Sequence, residues 1–407
     1  KIIKLNKKVI YVTPDEQSSL KAQKNLETLL KLESKVFPFQ EINLYSDLDK
    51  NRYIYQEQIN ILLSKPDIIF VPVKSLFEKF SDISFYKQNV ITLKKGENID
   101  YSLIAEKLTN FGYKRTTSVS DIGEFALRGD ILDIFTLDEN PVRIEFFADE
   151  IEDIRYFNPI SQKSFEHIEK INIRPLYKFI LNDENKNNFK KKINEQLKNT
   201  KDEFKIKIKD ELIESVDEIG YFEGIEYYIN YFENNMKSFL DFFDDYVILL
   251  KESSQIYSKY KNLDESYIQN YLDGINSNFK LELEELNHTK YEEFISKLKT
   301  FKTISIDNFL SDDYDKILEF NTGLPPVFSS NIENISKYIK KSLSQHFKIY
   351  ICTNYPSRLK EIFNELEIFA QDIFYLGDIS TGGAIAQDDK ISKDKIIFLT
   401  DKELFNK

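Results

Sequence analysis

Gly123-Glu-Phe-Ala-Leu-Arg-Gly-Asp-Ile-Leu-Asp-Ile-Phe135, then Asn140-Pro-Val-Arg-Ile-Glu-Phe-Phe-Ala-Asp-Glu-Ile-Glu-Asp-Ile-Arg155, is the stretch that decides the fold. Apolar and polar residues alternate along it, and short turns interrupt the alternation. The pattern predicts an antiparallel meander with strands over 124–127, 130–136, 142–147 and 151–157. Asp138-Glu-Asn-Pro141 is one of its turns, and Arg174-Pro175 closes the unit. Side chains alternate across a strand, so Val142, Ile144 and Phe146 share one face and Arg143, Glu145 and Phe147 the other. Phe125 and Leu127 oppose Ala126 and Arg128 in the same way. Arg128, Arg143 and Glu145 therefore share the outer face of one small sheet if the strand registers agree.

On either side of this unit the pattern changes. Lys8-Val-Ile-Tyr-Val-Thr13 reads as a buried strand, followed by Asp15 as a helix N-cap and by Leu20, Leu26, Leu29 and Leu30 at helical spacing. A second strand, Ile68-Ile-Phe-Val-Pro-Val73, precedes a helix expected to start at Ser75. Strand, helix, strand, helix is the order of a parallel sheet with crossover helices. A helix over 101–110 leads into the meander. Residues 183–215 read as a long solvated helix. The aromatics of 221–235 (Tyr221, Phe222, Tyr227, Tyr228, Tyr231, Phe232) read as core. Tyr246-Val-Ile-Leu-Leu250 returns to buried-strand character, with a helix over 253–286 and a strand over 303–306, so the first α/β unit resumes after an insert. Gly323-Leu-Pro-Pro326 marks a linker. Beyond it a small α/β domain is expected, with helices at 331–345 and 356–366 and strands at 348–353, 372–376 and 395–400.

Composition narrows the function. The chain has 407 residues, 41% hydrophobic and 30% charged, which suits several soluble globular domains. Its apolar runs are far shorter than the ~18 residues of a membrane span, and no export signal opens it; the expected location is the cytoplasm. It begins at Lys1 with a single methionine, Met236, and so reads as a segment of a longer product. The one cysteine, Cys352, excludes an internal disulfide and reads as a buried strand residue. His167, His288 and His346 stand at no metal-ligand spacing. A net charge of −12 disfavours a broad grip on nucleic acid. Five of the seven arginines nevertheless fall between 115 and 174 in a chain that otherwise uses lysine. Arginine suits forked interface contacts; chance and intradomain ion pairs remain the plain alternative.

No P-loop or nucleophile elbow is present. Gly382-Gly383 lacks the Lys-Ser that would follow in a P-loop, and Asp388-Asp389 would repel phosphate. The strand 247–250 ends in Lys251-Glu252, not the acidic pair that would hold magnesium. No catalytic residue, cofactor site or metal site is expected in this segment.

Residues 123–135, 140–155 and Phe157-Asn-Pro-Ile-Ser-Gln162 closely resemble the domain shared by the excinuclease protein UvrB and the bacterial transcription-repair coupling factors. Tyr11-Val-Thr-Pro-Asp-Glu-Gln17, Val71-Pro-Val-Lys-Ser-Leu76 and Phe398-Leu-Thr-Asp-Lys-Glu-Leu-Phe405 resemble the coupling factors in particular. The resemblance implies a degenerate RecA-like, motor-type parallel-sheet domain (1–83 and 179–322). An inserted α+β docking domain with an antiparallel sheet (84–178) interrupts it, and a separate small α/β domain (323–407) follows. It also implies that the insert docks the excinuclease protein UvrA through Arg128, Arg143 and Glu145, with Lys114 or Arg115 as a further basic contact. Ala126 stands where UvrB has another arginine. Further implied are a role in transcription-coupled nucleotide-excision repair, RNA polymerase and DNA as partners of the parent protein, and packing against its C-terminal domains. ATP and magnesium would act in motor domains beyond residue 407. The rival readings are a nucleotide-dependent UvrB-like fragment that binds DNA damage, and a direct DNA-binding unit.

Overall fold

The computed structural model describes residues 7–39, 48–136, 140–220, 225–233, 236–276, 287–308, 314–318, 322–369, 371–377, 379, 381–386 and 395–406. Strand Val9–Thr13 is the centre of a five-stranded parallel sheet, ordered Thr303–Ile306, Val247–Lys251, Val9–Thr13, Ile68–Pro72, Lys35–Val36. Val9 pairs with Val247 on one side and with Ile68 on the other, so residues far apart in sequence lie side by side. Ile10, Val12, Ile69, Val71, Ile248 and Leu250 are all fully buried. A sheet covered on both faces needs such unbroken apolar runs, and each buried side chain contributes roughly 1.5–3 kcal/mol. Their core is shared with Ile59, Leu62, Ile256, Tyr260 and Phe294 of helices Leu48–Ser64, Ser253–Asn276 and Tyr291–Leu298.

The helix expected at Ser75 does not form. Val73–Leu76 is a single 3-10 turn, and the Ser75 hydroxyl donates to the Phe37 carbonyl instead of capping a helix. Strand Lys79–Ser81 follows within three residues. Hydrophobic spacing alone cannot distinguish a buried turn from a helix start.

Strands Ile91–Lys94 and Lys170–Ile173 pair antiparallel, Leu93 opposite Ile171, so the inserted unit begins and ends on one two-stranded ribbon. Between them lie helix Tyr101–Asn110 and a six-stranded sheet. Its order is Ser164–His167, Glu150–Phe157, Val142–Phe147, Ile131–Ile134, Glu124–Arg128, Lys114–Arg115. All neighbours are antiparallel except the edge pair of Lys114–Arg115 with Glu124–Arg128. Ile104 and Leu108 of the helix pack on Val142, Ile144 and Phe146, the inner face read from alternation. Residues 138 and 139 of the turn expected at 138–141 lie outside the described residues.

The stretch read as one long helix is two, Asp183–Gln196 and Glu203–Glu214. The second starts afresh with Asp202 capping the Phe204 N–H. Phe189 and Ile193 of the first pack with Tyr228, Tyr231 and Phe232, where Phe189 and Phe232 stack at 4.6 Å. Tyr221 and Phe222 and the side chain of Tyr227 lie outside the described residues, as does 277–286 beyond helix Ser253–Asn276. The last unit is a five-stranded sheet ordered Thr322–Gly323, Ala384–Ala386, Lys395–Thr400, Phe347–Cys352, Ile373–Leu376, with helices Ile332–Ser344 and Pro356–Glu365 against it. Cys352 is fully buried there. A side chain at Gly383 would meet the Phe398 carbonyl oxygen at 2.5 Å, so this glycine serves close packing; Asp388 and Asp389 lie outside the described residues. Among the described residues no helix is long and apolar enough to cross a membrane. The whole is a multidomain α/β fold in which an antiparallel unit interrupts a parallel one.

Candidate functional site

Two places can be weighed as sites: the end of the central parallel strand, and the outer face of the inserted sheet. At the first, Thr13-Pro14-Asp15 leads directly into helix Glu16–Leu30. A helix N-terminus preceded by a glycine-rich loop is where nucleotide phosphates sit. Here the Asp15 carboxylate already accepts the Ser18 N–H at 2.8 Å, and Lys259 reaches it at 3.6 Å. Burial works against the Asp15 charge, but the Ser18 hydrogen bonds and Lys259 outweigh it and hold the carboxyl below its usual range. A carboxylate in that position repels phosphate. One strand over, Glu252 follows Lys251 with a left-handed backbone. Among the described residues no cluster of three or more His, Cys, Asp or Glu side chains could hold a metal.

The outer face of the inserted sheet is built differently. Cross-strand register aligns Ala126, Asp133, Arg143, Arg155 and His167 in one row and Arg128, Ile131, Glu145 and Asp153 in the next. Arg128, Arg143 and Glu145 thus share a face as the alternation predicts. Their partners are not each other. The Arg143 guanidinium forks onto Asp133, Nε to Oδ1 at 2.7 Å and Nη2 to Oδ2 at 2.9 Å, and Arg128 donates to the same carboxylate. Glu145 instead accepts from Arg155. Arg143 and Glu145 are thus held by different partners, because Asp133 lies directly across the strands from Arg143, whereas Glu145 lies two positions along its own strand.

Asp133 is completely buried beneath the two arginines, whose side chains are 16% (Arg143) and 48% (Arg128) exposed. Arg143 also donates to the Gln162 carbonyl at 3.2 Å and lies over the Phe157 ring at 4.8 Å. Its hydrogen bonds to Asp133 push its pKa up against the opposing effect of burial. Arg143 is therefore a fixed clamp. Arg128 commits one nitrogen to Asp133 and leaves other donors of its fork at the surface. Farther along the face, Asp153 draws His167 at 3.0 Å, Lys95 at 3.5 Å and Arg155 at 3.3 Å. Burial opposes the Asp153 charge, but these neighbours prevail and lower its pKa.

The loop residue Gln162 donates to the Val119 carbonyl at 3.1 Å, and Ala126, Val119, Phe135 and Phe157 form a small satellite core under these loops. Ala126 is thus buried and offers no contact. Lys114 and Arg115 are exposed on the edge strand, in register with Glu124 and Phe125. From Glu124 to Arg128 is about 13 Å along the strand at ~3.3 Å per residue, so the two basic sites flank the face from opposite ends. Beside the charges, Phe147 is 74% and Ile160 94% exposed. Sequence reading missed Asp133, Arg155, Asp153 and His167. Asp133 carried a usable signal: a carboxylate between Leu132 and Ile134 in an otherwise apolar strand.

Residues 91–179 match the family described as the UvrB interaction domain. Over 91% of its length the chain is similar to transcription-repair-coupling factors. It is 23% identical over 396 residues to that of Staphylococcus aureus strain MRSA252 and 23% identical over 395 residues to that of Staphylococcus haemolyticus, covering 33% of each. The chain therefore spans about a third of the length of the curated relatives it matches. The resemblance drawn from residues 123–162 and their flanks is borne out.

Proposed function

We propose that this chain is the docking segment of a transcription-repair coupling factor, with no chemistry of its own, and that the outer face of its inserted sheet recruits UvrA to a stalled RNA polymerase. The observation that carries the reading is the half-exposed Arg128 fork, held on a buried carboxylate within the stretch that matches the UvrB interaction domain. An arginine pre-oriented by a fixed partner loses little freedom on binding, which favours a specific interface. Phe147, exposed on the same sheet, supplies the apolar area such interfaces need. Arg128 makes the main contact, Glu145 and Arg155 contribute a charge pair that is partly exposed, and Lys114 and Arg115 steer from the edge. Arg143 holds the site together. ATP-driven translocation, and contacts with polymerase and DNA, belong to the longer parent. The Asp15 cap and Lys251 speak against the rival nucleotide-dependent reading. Capture of purified UvrA by the whole chain tests the proposal: wild type captures it, Arg128→Ala does not, and capture unchanged by Arg128→Ala would remove this face as the docking surface.

A further inference from the structure

The chain leaves the inserted unit through residues 174–181, Arg-Pro-Leu-Tyr-Lys-Phe-Ile-Leu. This short segment is bound to three different units in turn. The Arg174 carbonyl accepts from the Tyr113 hydroxyl at 3.1 Å, and the Leu176 N–H donates to the Phe111 carbonyl at 2.8 Å, with the Leu176 side chain in the core of the insert. The next two residues are gripped by the parallel-sheet unit. The Tyr177 carbonyl accepts from Tyr55 at 2.6 Å, and the Lys178 carbonyl accepts from Ser81 at 2.5 Å. Phe179 then enters the core beneath helix Asp183–Gln196, stacked on Phe232 at 4.8 Å. Leu176 and Tyr177 are neighbours, so the grip passes from the insert to the parallel-sheet unit with no intervening residue.

Lys178 adds a charge contact. Its ammonium pairs with the carboxylate of Glu78, a side chain 1% exposed, and lies 4.4 Å from the centre of the Phe80 ring. The other Glu78 oxygen accepts from the Gln58 amide at 3.1 Å, and Gln58 is fully buried on helix Leu48–Ser64. Glu78 is itself fixed in the parallel-sheet unit, because its backbone bridges to His288. A buried ion pair is a poor source of stability. Removing two charges from water offsets most of their attraction, and well-packed neutral side chains of similar volume often serve as well. Such a pair differs from apolar packing in its tolerance. Apolar burial is non-directional, whereas a shift that parts Lys178 from Glu78 leaves a buried carboxylate without its counterion. The pair therefore favours one placement of residue 178 and, through the run 174–178, one direction of the insert.

We propose that residues 174–178 form a fixed joint, and that the Lys178–Glu78 pair sets the direction in which the insert and its outer sheet face stand relative to the parallel sheet. The inference concerns the chain's own geometry and is independent of the docking reading. Distances between spin labels test it. Cys352 is buried, so the labels go to cysteines introduced at two exposed positions, Lys21→Cys on helix Glu16–Leu30 and Glu152→Cys on strand Glu150–Phe157. Pulsed dipolar spectroscopy on the whole labelled chain should give one narrow distance distribution. A variant carrying both Glu78→Gln and Lys178→Met keeps an acceptor for Gln58 and an apolar stem over Phe80. Its melting temperature should stay near that of the labelled wild type, while the distribution broadens or moves to a new mean. Glu78→Gln alone should act in the same direction less strongly, and it carries the test should the double variant not fold. Distances are read well below each melting temperature, so that partial unfolding does not supply the broadening. An unchanged distribution in either folded variant, whatever its melting temperature, would overturn the proposal, as would a broad distribution in the labelled wild type.

Discussion

The parallel sheet and the inserted antiparallel sheet dispose of charge in opposite ways. In the first, Ile10, Val12, Ile248 and Leu250 are buried on a sheet covered on both sides, and the start of helix Glu16–Leu30, where an anion could sit, is closed by Asp15. In the second, only the inner face is apolar, and the outer face carries Arg128, Arg143, Arg155, Asp133, Glu145 and Asp153 in register. A sheet buried on both faces can serve only through its ends. A sheet with one free face can use the whole of that face, provided its charges are held. On the proposed reading, the parallel-sheet unit serves as the mount and the insert carries the recognition surface.

The sharpest way to break the contrast is to remove the carboxylate under the arginines. Asp133→Ala leaves two guanidiniums without their buried partner, and breaking such a pair typically costs about 3–5 kcal/mol. Denaturant unfolding followed at insert residues should show that loss while the parallel sheet keeps its midpoint. Equal loss in both units would mean that they do not unfold separately. Arg128→Ala tests the surface, not the scaffold. Truncating a desolvated interface anchor commonly costs about 2 kcal/mol or more, roughly thirtyfold in affinity for UvrA. Because Arg143 still forks onto Asp133, melting should fall much less than in Asp133→Ala. Arg143→Ala should behave the other way, lowering melting more than capture by the protein that remains folded.

Acid should part the two units as well. His288 is buried against Asp264 at 2.8 Å, and burial lowers its pKa below the ordinary 6.5 despite that partner. The unfolded chain then binds a proton that the folded chain does not. Stability of the parallel-sheet unit should therefore fall as pH drops below 6.5, by up to about 1.4 kcal/mol per unit until the folded pKa is passed. Asp153 in the insert has a lowered pKa, so its contribution is intact above the ordinary 3.8 and disappears only as pH falls through its folded value. Amide exchange at pH 7.5 and pH 5.5 should show Ile248 and Leu250 losing protection while Ile144 and Ile154 hold theirs. A His288→Gln variant that keeps the same pH dependence would assign the effect elsewhere. The smallest effect is expected at Asp15: Asp15→Ala removes an N-cap, about 1 kcal/mol, and should not create nucleotide binding. Saturable binding of an ATP analogue by that variant would show that the cap alone had been closing a competent site.

Much of this was legible in the sequence. Apolar runs announced strands 9–13, 68–72 and 247–250, and alternation announced the meander with its inner face of Val142, Ile144 and Phe146. Asp15 was readable as a cap from its place before a helical pattern. Ser75 was misread because a serine before apolar residues looks the same whether it caps a helix or, as here, is buried in a turn. The single helix expected over 183–215 divides because Asp202 starts a new one, a signal outweighed by the continuing helical spacing. At the candidate site, Arg128, Arg143 and Glu145 were found by their face, whereas Asp133 and Arg155 were missed.

Sequence by itself determined which residues line each face, because the two-residue period of a strand and the 3.6-residue period of a helix are local properties of the backbone. It determined equally that strand 247–250 belongs with a parallel sheet, since a doubly covered sheet is what accommodates such an apolar run. The tertiary structure decided which charges meet. Register across strands sets Asp133 beside Arg143 and leaves Glu145 to Arg155. Burial under two guanidiniums then turns an ordinary aspartate into the anchor of the face. Pairing across strands and loss of water are set by residues distant along the chain, and no local periodicity encodes them.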